Sequence, residues 1–204
     1  MSTVASRRKI AAVSARPVEI SGAEIYLQKV SGALQRLPFV QINHVTDALW
    51  KAYQDNRAVF LFGNGGSAAL ASHCACDFGK GTVVNGNRRF RVLALTDNVP
   101  LMTAWANDAR YEDIFSEQLR SFVQTDDVAF AISASGNSPN VLNALHTARE
   151  MGAFTIGLTG FQGGKMQALC DLCVVVPSDN MQVIEDMHLS VTHSIFTSFR
   201  ARIG

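Results

Sequence analysis

Four side chains hold the clearest acid–base or metal-binding character in the chain. His73 and Asp77 stand four residues apart, so on a helix they share one face. Glu185 and His193 stand eight apart, which leaves them about 80° from eclipsed and able to border one cleft. Two imidazoles and two carboxylates match a tetrahedral zinc set whose charge neutralises a divalent cation. Alternatively, one carboxylate and one imidazole form a general base and acid. Spacing alone leaves both open, alongside plain packed or solvated helical histidines. His188 falls about 140° round the helix from His193, and His44 and His146 lack partners at helical spacing, so these three receive no role.

Two polar segments offer ligand-binding chemistry. Gly63-Asn64-Gly65-Gly66-Ser67 follows an apolar run and precedes a helical pattern. Its glycines permit positive φ and close backbone approach, and a helix N-terminus offers unpaired N–H groups to an anion or to sugar hydroxyls. The segment also matches G-x-G-x-x-A, ending at Ala68. A dinucleotide fingerprint needs an acid about 20 residues on, whereas the first strand-end acid is Asp97, 34 beyond Gly63. The second segment is Ser133-Ala134-Ser135-Gly136-Asn137-Ser138-Pro139, in which Ser138 suits an N-cap and Pro139 the first helical turn. Ser133 and Ser135 add hydroxyls that a capped turn does not need, and this points to a phosphomonoester. A third segment, Asn107-Asp108, is expected ahead of a helix starting near Glu112, where it reads equally as a cap or a ligand contact.

These groups must be positioned by regular elements. Ser21-x-x-Glu24 is a capping box ahead of Leu27, Val30, Leu34 and Leu37, and Pro38 stops that helix. A second helix carries Val45 to Tyr53. Short apolar runs follow at Ala58–Phe62, Arg91–Leu95, Val128–Ile132, Phe154–Leu158 and Leu172–Val176. Helical patterns between and after them are expected over 68–78, 113–123, 140–151, 165–169 and 181 to about 202. Five buried strands alternating with helices predict an α/β fold, a doubly wound five-stranded parallel sheet with N-terminal helices. Ligands of such sheets bind beyond the strands' carboxyl ends, where the polar segments lie.

The 204 residues suit one domain, assigned to 21–204, behind a basic N-terminal arm over 1–20. Residues 1–18 hold Arg7, Arg8, Lys9 and Arg16 and no acid; 18 basic groups less these four leave 14 against 17 acidic, net −3. An arm that frays or docks on a partner subunit is favoured over a transit peptide. Net charge +1 gives no global pull toward nucleic acid. No apolar run of about 18 residues and no secretory h-region argue against a membrane span or export. The four cysteines, Cys74-x-Cys76 and Cys170-x-x-Cys173, lie in apolar settings that favour buried free thiols over a zinc knuckle, and a reduced, cytoplasmic chain is expected.

Taken in order, the glycine segment, His73 and Asp77, the serine segment, and Glu185 and His193 resemble the sugar isomerase (SIS) domain family, within it most the phosphoheptose isomerases. The likeness runs from about residue 21 to the C-terminus. It implies a homotetramer with active sites at subunit interfaces, acting on a phosphorylated sugar. It further implies that Asn64, Gly65, Gly66, Ser67, Asn107, Asp108, Ser133, Ala134, Ser135, Ser138 and Glu185 contact the phosphosugar. His73, Asp77, Glu185 and His193 would hold one zinc ion per subunit, with Asp77 and His193 the proton-transfer pair. Two departures stand out: the heptose enzymes usually have glutamate at Asp77 and glutamine at Glu185. Aspartate is one methylene shorter, and a misplacement of about 1 Å can cost roughly 100-fold. The added charge of Glu185 would strengthen metal binding. The swaps point either to another phosphosugar or to greater reliance on the metal. The rival readings are a non-catalytic SIS phosphosugar-binding regulator or replication-initiator-associating protein, and a nicotinamide oxidoreductase. The retained carboxylate and histidine weigh against the first, the misplaced acid against the second.

Overall fold

The computed structural model describes residues 21–204; the basic arm assigned to 1–20 lies outside the described residues. Helix α1 (Gly22–Gln35) opens as its capping box dictates, with Ser21 Oγ accepting from the Glu24 amide at 3.2 Å. Pro38 separates it from α2 (Phe39–Gln54). Then β1 (Ala58–Gly63), α3 (Gly66–Gly81) and β2 (Arg91–Ala94) follow, the expected strands holding to within a residue. Helix α4 (Val99–Asp108), a 3-10 turn (Tyr111–Asp113) and α5 (Ser116–Phe122) lead to β3 (Val128–Ile132). The rest is α6 (Pro139–Glu150), β4 (Phe154–Thr159), a 3-10 segment (Lys165–Leu169), β5 (Leu172–Val175) and α7 (Met181–Ile203).

Sequence patterning misses α4. Asn98 caps it, its side chain accepting from the Leu101 amide at 3.2 Å, and Pro100 sits in the first turn. None of its residues is fully buried; Met102, Trp105 and Ala106 pack only partly against the core. The helix expected over 113–123 is correspondingly shorter. Asn107 and Asp108 therefore close α4 rather than precede a helix near Glu112.

All five strands run parallel in the order β2-β1-β3-β4-β5. Alternate residues feed two cores. Val59, Leu61, Phe130, Ile156 and Val174 face α1, α2, α3 and α7; Ala58, Phe60, Phe62, Ala129 and Ala131 face α5 and α6. This is the doubly wound arrangement with helices on both faces; the central strands β1, β3 and β4 are buried apart from Phe154, whereas edge strand β2 leaves Arg91 and Leu93 exposed, against the expectation of five buried strands. The chain runs outward from β1 to β2 on one side and from β3 to β5 on the other, so the topological switch point falls between β1 and β3. The glycine segment leaves β1 and the serine segment leaves β3, both at that crevice. No helix among the described residues is long and apolar enough to cross a membrane.

Candidate active site

Close packing at the switch point dictates the glycines. A Cβ on Gly63 would stand 2.5 Å from the Ile132 carbonyl, so the β1 loop touches β3 only as glycine. Gly65 takes φ +53° as N-cap of α3. Asn64 then forms a reciprocal amide pair with Asn140 of α6, both bonds 2.8 Å, and accepts from the Tyr111 hydroxyl at 3.0 Å. Asn140 ties the glycine loop to the start of α6, and Tyr111 ties it to the 3-10 turn after α4; the sequence singles out neither. A buried asparagine just inside a Ser-Pro helix start was the available signal for the first; nothing in the spacing marks the second.

The serine loop is a braced nest. Gly136, at φ +63°, would place a Cβ 2.2 Å from the Gly163 carbonyl. The Gly136 amide bonds Ser133 O (3.0 Å), the Gly160 amide Ala134 O (2.9 Å), and the Met166 amide Gly136 O (2.9 Å). Ser138 occupies the N-cap position of α6, but its hydroxyl makes no capping bond and instead faces Ser133 Oγ at 3.4 Å. That corrects the capping role expected for its side chain and leaves two hydroxyls facing each other beside a helix N-terminus. Ser133 and Ala134 are buried and Ser135 half-buried, with Ser135 Oγ accepting from the Asn137 amide at 3.2 Å.

Across the crevice, α3 and α7 bring their acid–base side chains together. His73 Nε2 lies 2.8 Å from His193 Nε2, and Asp77 Oδ2 lies 3.4 Å from the first and 3.6 Å from the second. In this form one imidazole N–H donates to the other ring's lone pair. The in-plane point equidistant from the three atoms lies about 1.9 Å from each, so a point about 0.9 Å off their plane stands about 2.1 Å from each, within the roughly 2.0–2.2 Å of zinc–nitrogen and zinc–oxygen bonds. Two neutral imidazoles and one carboxylate thus fit a divalent ion, with a fourth position left open. Glu185 does not join this cluster. Its carboxylate rests on Gly66, where Oε1 would be 3.1 Å from a Cβ, so it meets the positive end of α3.

A cavity of about 390 Å³ collects Gly66, Ser67, His73, Glu185, His188 and His193 on its walls. His188 was assigned no role on angular grounds. It is nonetheless buried and lines this cavity, because the wall wraps around α7 rather than facing one stripe of it. Burial pushes its pKa down to about 4, so the ring is neutral near pH 7. The serine loop and Asn64 lie at the adjoining crevice outside this cavity, and Asn107 and Asp108 stand exposed at the end of α4, bonded to each other at 2.7 Å. His44 and His146 are exposed. Among the cysteines, Cys74 is buried and its thiol pushed up to about 11 by desolvation, whereas Cys76 is exposed, against the expectation of uniform burial. All four are free thiols.

A five-stranded parallel sheet with glycine and serine loops at its switch point is the architecture of phosphosugar-binding SIS domains, and the sequence agrees: the SIS domain profile matches residues 26–160. The chain belongs to the SIS domain family. A phosphoheptose isomerase of Aliarcobacter butzleri is 42% identical over 142 residues, covering 70% of this chain and 75% of its own. One of Helicobacter hepaticus is 35% identical over 179 residues, 88% of this chain and 90% of its own. The solved structure of a phosphoheptose isomerase from Neisseria gonorrhoeae superposes with TM-score 0.82 at 27% identity, spanning 88% of this chain and 97% of that one.

Proposed function

We propose that the chain is a phosphoheptose isomerase, an aldose–ketose isomerase that interconverts sedoheptulose 7-phosphate and D-glycero-D-manno-heptose 7-phosphate by proton transfer through a cis-enediol. The observation that carries this reading is the meeting of His73, Asp77 and His193 beside a cavity that the two imidazoles line, next to the glycine and serine loops. A regulator that only binds a phosphosugar needs the loops and has no use for a carboxylate between two imidazoles.

Asp77 takes the proton alpha to the carbonyl, and His193 gives a proton to the carbonyl oxygen as negative charge grows there. The enediol then collapses in the other sense: Asp77 returns its proton to the neighbouring carbon while His193 recovers one from the oxygen on the carbon that becomes the new carbonyl. His73 holds the Asp77 carboxylate in place. The serine loop, with Ser133, Ala134, Ser135 and Ser138, anchors the phosphate through hydroxyls and backbone amides, and remote binding energy thereby orients the reacting carbons. Asn64, Gly65, Gly66, Ser67 and Glu185 meet the sugar hydroxyls. A divalent ion held by His73, Asp77 and His193 Nε2, zinc by the chemistry of the donor set, would polarise the substrate oxygens in place of the His193 proton, while the second Asp77 oxygen keeps the carbon proton.

We further propose a homotetramer. Leu27, Leu34, Phe39 and Val40 leave large apolar surface exposed on α1 and α2, which supports burial against another copy. Sharing of sites between subunits would also give the distant Asn107–Asp108 pair a sugar to meet. A cytoplasmic setting accords with four free thiols.

The test follows sedoheptulose 7-phosphate by NMR in D₂O, with and without zinc. Deuterium entering beside the carbonyl, with an aldose product and a faster rate on zinc addition, is the expected result. Binding seen at the phosphate resonance without exchange or aldose would overturn the isomerase and leave the regulator.

A further inference from the structure

One wall residue of the cavity has no part in the chemistry above. His188 is 1% exposed, and neither Nδ1 nor Nε2 has a hydrogen-bond partner. It is the one buried side chain among the described residues left in that condition. The Thr159 carbonyl stands near enough to favour the protonated ring weakly, yet it makes no bond of acceptable geometry and already accepts from the Val176 amide at 2.8 Å. Both nitrogens are closed to solvent in the free protein; buried polar groups are almost always paired, so an orphan on a cavity-lining residue points to a partner in the cavity that the ring turns to meet.

The chemistry of that partner follows from the ring. Desolvation keeps the imidazole neutral, so it presents one N–H donor and one lone pair. A sugar hydroxyl is both acceptor and donor and can meet either nitrogen, whereas a phosphate, acceptor only, meets just one. The neighbours agree: Ser67 and Glu185 on the same wall also suit hydroxyls, and the wall carries no lysine or arginine. Resting on the phosphosugar reading of this site, we infer that His188 is a substrate-binding residue whose ring takes up a hydrogen bond with a hydroxyl of the sugar chain. In the free protein the orphaned nitrogens lower stability, and the bound sugar relieves the deficit.

This trade between stability and binding separates the inference from a packing role. In His188→Phe an apolar ring replaces the orphaned nitrogens, so Tm should hold or rise while KM for sedoheptulose 7-phosphate rises about tenfold. His188→Gln, which keeps a donor and an acceptor, should recover at least half of that loss. A His188→Phe variant with KM and kcat within twofold of wild type overturns the inference and leaves the isomerase standing. Ring ¹⁵N NMR of His188 in the unmutated protein serves if that variant does not fold. Titration with sedoheptulose 7-phosphate should shift one ring nitrogen by several ppm. A ring that answers fructose 6-phosphate or ribulose 5-phosphate while sedoheptulose 7-phosphate is neither bound nor turned over sinks the heptose assignment and keeps His188 as a sugar contact. A ring unmoved by all three sugar phosphates overturns the inference.

Discussion

The serine loop and the histidine wall stand on opposite sides of one crevice and are built by different means. The loop is fixed by main chain: its glycine admits no side chain, and the segment at Gly160–Met166 clamps it through amides at 2.9 Å. The wall is fixed by side chains alone. His73 and His193 are 47% and 49% exposed, Asp77 27%, and they meet from two helices with no third element among the described residues holding them. On the proposed reading, phosphate anchoring is preorganised in the backbone, while the chemistry depends on three partly exposed groups settling around a substrate or an ion. Affinity and turnover should therefore come apart on mutation.

His193→Ala tests that separation most severely. Loss of a positioned acid costs about 10²–10⁴ in rate, so kcat should fall by about a thousandfold. The dissociation constant for sedoheptulose 7-phosphate should stay within about threefold, because the loop is untouched. Isothermal titration beside steady-state kinetics checks both, and equal losses would mean that wall and loop act as one unit.

The reverse experiment is Gly136→Ala. An L-residue at φ +63° costs about 1–2 kcal/mol by itself, and the Cβ must also push the Gly163 carbonyl away. Tm should drop, and KM should rise about tenfold as Ser135 and Ser138 lose register, with kcat within about threefold. A fall confined to kcat would place the loop in the proton transfer and erase the contrast.

The same contrast explains how much of the fold and the site is legible in the sequence. Backbone-built parts are legible because glycine, serine and proline carry their conformational reasons with them: Gly63–Ser67 and Ser133–Pro139 fall at strand ends as expected. The five strands follow from short, mostly apolar runs, of which Ala58–Phe62 is unbroken. Side-chain-built parts are legible only as far as helical phase reaches. Phase placed His73 with Asp77, but it could not say that His193 would meet them across 120 residues while Glu185 turned to Gly66. Nor could it find His188, since an angle measured on one helix does not know how far a cavity wraps around it. Helix α4 escaped because its cap, Asn98, precedes a stretch with no buried stripe. Tyr111 and Asn140 escaped because their partner, Asn64, is remote in sequence.

Glu185 sits at the seam, a wall residue that touches the loop side, and its replacement gives the finest discrimination. A carboxylate at a helix N-terminus contributes roughly 0.3–1 kcal/mol, and this one is solvent-exposed, which puts it at the low end. Glu185→Gln keeps the length and the hydrogen-bonding oxygen, so stability should fall by no more than about 0.5 kcal/mol and kcat/KM should change by less than about threefold. Zinc affinity, measured by chelator competition, is the sharper readout. With His73, Asp77 and His193 as the three protein donors, removing a charge that rests on Gly66 should weaken zinc by less than about threefold through distant electrostatics alone. A loss beyond about a hundredfold, more than the roughly 10–100-fold that outer-sphere contacts produce, would show Glu185 swinging from Gly66 to the ion. The wall would then rearrange on metal binding while the loop beside it stays still.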